Sequence, residues 1–151
     1  MEVDQFITTI TDKEGCRYPL HCHIADSLHC FQVNCGGVVM AEAKCWLAGN
    51  GELQLNDLQV FEAASIPWLR LPLLGYLGLI HRHSFRRKGL ARALVAAIVQ
   101  WGRQRGVVSI TGKVVAGDLA AFPGLAEMYQ RLGFEVTNGS GNISYYIEMK
   151  L

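Results

Sequence analysis

The spacing of apolar and polar residues changes once along the chain. Tyr18–Asp26, Cys30–Cys35, Val38–Trp46 and Glu52–Phe61 are short runs rich in strand-forming residues, which predicts four strands. Gly36-Gly37 joins the second and third as a hairpin, and Ala48-Gly49-Asn50-Gly51 is turn chemistry. The first half therefore predicts an antiparallel meander. Leu90, Leu94, Ala97, Ile98 and Trp101 then recur at helical spacing, with Gly106 as a stop. Arg103 and Arg105 fall at the end of this helix, where cations suit the negative end of its dipole. Val107–Val115 returns to a β-rich run, central in character. Leu125–Leu132 forms a second helix closed by Gly133, and Phe134–Thr137 and Ser144–Leu151 are the last strands. The order predicts an α/β fold: a mixed, mostly antiparallel central sheet of about six to seven strands with two main helices.

Composition narrows the class. A chain of 151 residues that is 50% hydrophobic is large enough for one domain, expected over residues 1–151, without covalent staples. A formal net charge of +1 argues against a general nucleic-acid binder, so any functional positive charge is local. The five cysteines, Cys16, Cys22, Cys30, Cys35 and Cys45, are odd in number, and acidic residues stand in MEVDQFITTI where a secretion signal has basic ones. A reduced, cytoplasmic protein is the expectation. In HCHIADSLHC, His21 and His23 would share one face of a strand, but no CxxC or HxxxH spacing accompanies them. The sequence alone assigns no metal site.

The stretch Arg86-Arg87-Lys88-Gly89-Leu90-Ala91 puts three cations and a glycine at the start of the amphipathic helix. A helix N-terminus exposes unpaired N–H groups and a partial positive charge, and is ready to hold an anion. Gly89 lacks the Cβ that would obstruct a phosphate, and Ala91 is small. The alternative is a plain helix start with solvated basic residues. The spacing Arg86-x-x-Gly89-x-Ala91 matches the R/Q-x-x-G-x-G/A signature of the GNAT superfamily of N-acetyltransferases. Met128-Tyr129-Gln130-Arg131-Leu132-Gly133-Phe134 resembles that family's LYEKLGF segment. The resemblance runs from about Glu52 to the C-terminus, with both motifs in the family's order.

That resemblance implies acetyl-CoA as co-substrate and a set of roles. Backbone N–H groups from Arg87 to Ala91, with Arg86 beside them, would hold the pyrophosphate. Leu58, Gln59 and Val60 would pair with the pantetheine arm. The strand carrying them would splay from Val107–Val115, and the acyl group would enter the gap. Tyr129 matches the tyrosine that protonates the departing thiolate, a task a phenol suits; its other reading is a core aromatic. The acceptor, an amine of a small molecule or protein, would attack the thioester directly. None of the cysteines lies in the matched coenzyme region.

The chain departs from the family in three places. Phe61–Phe85 is an apolar insertion, too short and too interrupted by Pro67, Arg70 and Pro72 to cross a membrane. It reads as core packing or a homodimer surface, as a lid, or as a membrane-surface contact. The helices the family carries between its first two strands are missing, because Ala25–Cys30 has room only for a turn. The insertion then becomes the candidate acceptor wall, with Trp68, Tyr76, His81 and His83. The family's strand glutamate is replaced by Gln54, and Asp57 lies on the opposite face from Gln54 if the strand is regular. The leading function is an N-acetyltransferase. A non-catalytic acyl-CoA binding or sensing module acting through a partner is the alternative, and aminoacyl-tRNA modification is disfavoured by the near-neutral charge.

Overall fold

The computed structural model describes residues 2–61 and 89–151. The insertion beyond Phe61, and Arg86, Arg87 and Lys88 with it, lies outside these residues. The described elements are β1 (Glu2–Thr11), β2 (Arg17–Ala25), β3 (Leu28–Cys35), β4 (Val38–Leu47), β5 (Glu52–Val60), α1 (Leu90–Gln104), β6 (Ser109–Val115), α2 (Ala116–Ala121), α3 (Leu125–Arg131), β7 (Glu135–Asn138) and β8 (Ile143–Lys150). They build one eight-stranded sheet in the order β1-β2-β3-β4-β5-β6-β8-β7. β5 and β6 form a parallel pair, and every other neighbouring pair is antiparallel. The mixed α/β architecture is the expected one, and the four expected strands of the meander are β2 to β5.

Two elements were not visible in the pattern. β1 is an edge strand whose register shifts between Phe6 and Thr8. The extra residue breaks the period-two signal, and Val3 and Phe6 stay exposed. α2 is six residues long and buries none of them, so it leaves no apolar stripe to read. Between β1 and β2 the Asp12 carboxylate organises a tight turn. It accepts hydrogen bonds from the N–H groups of Glu14 and Cys16 and from the Tyr18 hydroxyl, at 2.9, 2.9 and 3.0 Å. Asp26 and Ser27 alone separate β2 from β3, with Asp26 at φ 54°. The meander therefore has no room for helices.

Cross-strand register sorts the sheet into two faces. One face carries rows such as Leu20–Val33–Ala41, Cys22–Phe31–Ala43 and Leu53–Ile110–Met149, all buried. The other carries polar rows: His21–Gln32–Glu42–Gln59, His23–Cys30–Lys44–Asp57 and Trp46–Gln54–Thr111–Glu148. α1 docks on the apolar face through Leu90, Leu94, Val95, Ile98 and Trp101. The Trp101 ring meets Phe31 edge-on at 5.1 Å and His29 at 5.3 Å. Fully burying side chains of this size contributes about 1.5–3 kcal/mol each before chain entropy is counted, which fixes where α1 begins.

Candidate active site

β5 and β6 pair from Glu52/Ser109 only as far as Leu55/Gly112. At the same point β5 takes an extra residue: Lys44 faces Asp57 and Cys45 faces Leu55, which leaves Asn56 as a bulge against β4. A bulge bends its strand and increases the twist, so the end of the ladder and the bend fall together. Gly112 permits the close approach there, since a Cβ on it would lie 3.1 Å from the Leu55 carbonyl oxygen and 3.0 Å from the Ile147 side chain.

The divergence opens a shallow cleft, continuous with solvent. Leu55, Leu58, Val114, Leu125 and Tyr129 supply its apolar wall and floor, and Asn56, Asp57, Lys113 and Asp118 its polar groups. The bulge also corrects the sequence reading of Asp57. Gln54 is opposite Trp46 and Asp57 opposite Lys44, two residues apart on β4, so Gln54 and Asp57 share the polar face. Asp57 accepts a hydrogen bond from the Gln59 amide at 3.0 Å. Leu58 and Val60 instead pack, partly buried, against the core.

Tyr129 lies in α3 at the cleft, 3% exposed, with its ring edge-on to Phe134 at 5.3 Å. Burial raises its phenol above the ordinary 10.0, and Cys45 and Asp118 push the same way. A phenol so placed stays protonated and can donate. Asp118 reaches back from α2 to the Val115 N–H at 2.9 Å, which fixes the end of β6. Three thiols behave oppositely to nucleophiles. Burial pushes Cys22 up to about 12 and Cys30 up to about 11, and it raises Cys45 as well.

At the start of α1, Gly89 has φ +76°, a left-handed conformation that favours glycine, and it accepts from the Ala93 N–H at 3.0 Å. Gly89 brings no capping side chain, and the first turn of α1 contains no acidic residue. Leu90 and Ala91 are buried, so their side chains serve the core and only their backbone is left for a ligand. The turn between β1 and β2 brings in a residue that the sequence does not point to. The Lys13 stem passes 3.1 Å from the position a Cβ on Gly89 would take. That adds a cation near a helix N-terminus from more than seventy residues away (Lys13 against Gly89). No local pattern announces Lys13, because it reaches Gly89 only through tertiary packing.

A splayed parallel pair, an open glycine helix start and a buried tyrosine across the gap are the parts of an acyltransferase scaffold. The chain belongs to the acetyltransferase (GNAT) family, whose model matches residues 6–134, and its general chemistry is acyl-CoA-dependent acetyl transfer. Solved structures repeat the fold. The GNAT domain of S. lividans PAT superposes with a TM-score of 0.64 at 11% identity, covering 95% of this chain and 96% of that one. The ribosomal-protein-S18-alanine N-acetyltransferase of Escherichia coli gives 0.52 at 22% identity, covering 85% and 70%. The PaiA N-acetyltransferase of Thermoplasma acidophilum, solved in complex with coenzyme A, gives 0.56 at 11%, covering 83% of this chain and 62% of that one. The chain thus spans less than two thirds of the Thermoplasma protein's length. No curated protein sequence matches it significantly. Among the described residues no helix is long and apolar enough to cross a membrane.

Proposed function

We propose that the chain moves an acetyl group from acetyl-CoA to an amine of a small molecule or protein by direct attack in the cleft between β5 and β6. The observation that carries this reading is Tyr129, buried and lining the cleft where the two strands part. Acetyl-CoA supplies the activated thioester. Gly89, Leu90 and Ala91 offer backbone N–H groups to its phosphates, and Lys13 joins Arg86, Arg87 and Lys88 in supplying positive charge. Leu58, Gln59 and Val60 give the pantetheine arm a strand to lie along. Tyr129 donates its proton to the departing sulfur.

Asp57 is the chain's own candidate for the acceptor side. Asp57 is among the cleft-lining residues, and Gln59 holds one of its carboxylate oxygens. A carboxylate there orients an ammonium group and takes a proton from the attacking amine. The raised thiols of Cys22, Cys30 and Cys45 favour direct transfer over an acyl-cysteine route.

Release of free coenzyme A, followed with a panel of small amines and peptide N-termini, tests the reading. Turnover by the native chain that Asp57→Asn lowers at least tenfold is the expected result. Binding of acetyl-CoA with no turnover on any acceptor would favour the non-catalytic binding module instead.

A further inference from the structure

Among the described residues one carboxylate is buried: Asp12, 6% exposed, in the turn between β1 and β2. A charge taken out of water is costly unless it is hydrogen-bonded, and Asp12 is bonded within its own turn. Its Oδ1 accepts from the N–H groups of Glu14 and Cys16, and its Oδ2 from the Tyr18 hydroxyl. Its backbone N–H donates to the Cys16 carbonyl, and its carbonyl accepts from the Gly15 N–H. These bonds hold residues 12–16 in one shape, and Tyr18 packs that shape against the core. The braced turn lays Lys13 along Gly89. The Lys13 Cγ and Cε lie 3.1 and 3.3 Å from the position a Cβ on Gly89 would take, and the ammonium is one bond beyond Cε.

A cation there is electrostatically misplaced. The N-terminus of a helix is its positive end, which favours anions. The first turn of α1 holds no acidic residue, and Gly89 brings no side-chain cap. Among the described residues no ion pair holds Lys13. Turn and helix thus bring two positive ends together, and an anion between them relieves the repulsion. We propose, on the reading of the start of α1 as the phosphate site, that Asp12 is a positioning residue for acetyl-CoA. Through the turn it braces, Asp12 sets Lys13 against the coenzyme's phosphates, so that affinity for them depends on a buried carboxylate that touches no ligand.

Acetyl-CoA is titrated calorimetrically at low and at high salt against the native chain, Asp12→Ala, Tyr18→Phe, Lys13→Gln and Asp12→Ala/Lys13→Gln. Melting curves establish that each variant folds. Asp12→Ala and Lys13→Gln should each weaken binding about fivefold or more at low salt, and the deficit should shrink at high salt. Tyr18→Phe keeps the ring and removes one bond to Asp12. It should weaken binding less, with the same salt dependence, and it decides the matter if Asp12→Ala does not fold. In the Lys13→Gln background Asp12→Ala should leave affinity unchanged, because Asp12 acts through Lys13. Native affinity in the Asp12 and Tyr18 variants, additive losses in the double variant, or a deficit equal at both salts overturns the role of Asp12 alone. No binding by the native chain removes the phosphate site itself, and the proposal with it.

Discussion

Tyr129 shows what burial does to one residue's chemistry. Its phenol is raised above the ordinary 10.0 chiefly by desolvation, so the protonated form is kept through the neutral and mildly alkaline range. The same shift means that its contribution to folding is intact below pH 10.0 and is lost as pH climbs from there through the folded-state pKa. Tyr129→Phe keeps the ring against Phe134 and removes only the proton. Acetyl-transfer kcat should fall about 10²-fold or more, as loss of a general acid does, with acetyl-CoA affinity unchanged. A rate equal to native would leave Tyr129 as packing alone. Gly89 is the other decisive residue. Gly89→Ala forces a side chain into a left-handed conformation at a cost of about 1–2 kcal/mol and presses it against the Lys13 stem. Thermal melting should register the loss, and acetyl-CoA should bind more weakly. An unshifted melting curve would contradict the geometry of this helix start.

At the scale of elements, the cleft exists because β5 bulges at Asn56 where its ladder to β6 ends. Gly112 is the last β6 residue of that ladder, wedged between the Leu55 carbonyl and the Ile147 side chain. Gly112→Ala should destabilise the fold by about 1–3 kcal/mol, the usual effect of overpacking, in urea denaturation. An unchanged midpoint would contradict this tight approach. The sequence announced most elements, because β2 to β6 and α1 carry a clean period and glycine punctuation. It did not announce β1, where a bulge and an exposed edge blur the alternation, or α2, which buries nothing. Asn56 was invisible for the same kind of reason: an inserted strand residue has no composition of its own. That single residue turned Asp57 onto the face of Gln54, against the expectation of a regular strand.

For the whole molecule, one sheet with a helix-covered apolar face and a polar face explains the division of labour. Helix α1 brings its open N-terminus near the turn that carries Lys13, and α3 brings Tyr129 to the gap. Gly89, Tyr129 and the end of β5 could be named as candidates because they stand in local motifs. Lys13 could not, since only folding brings it beside Gly89. The central claim is that the start of α1 holds the phosphates of acetyl-CoA beside a cleft that accepts its acyl group. Calorimetric titration with acetyl-CoA tests it most directly, on the native chain, Lys13→Glu and the double variant Arg87→Glu/Lys88→Glu. Saturable binding of one molecule per chain is the predicted result, weakened at least tenfold by Lys13→Glu and abolished by the double charge reversal. No binding by the native chain, or binding indifferent to all three charges, would contradict it.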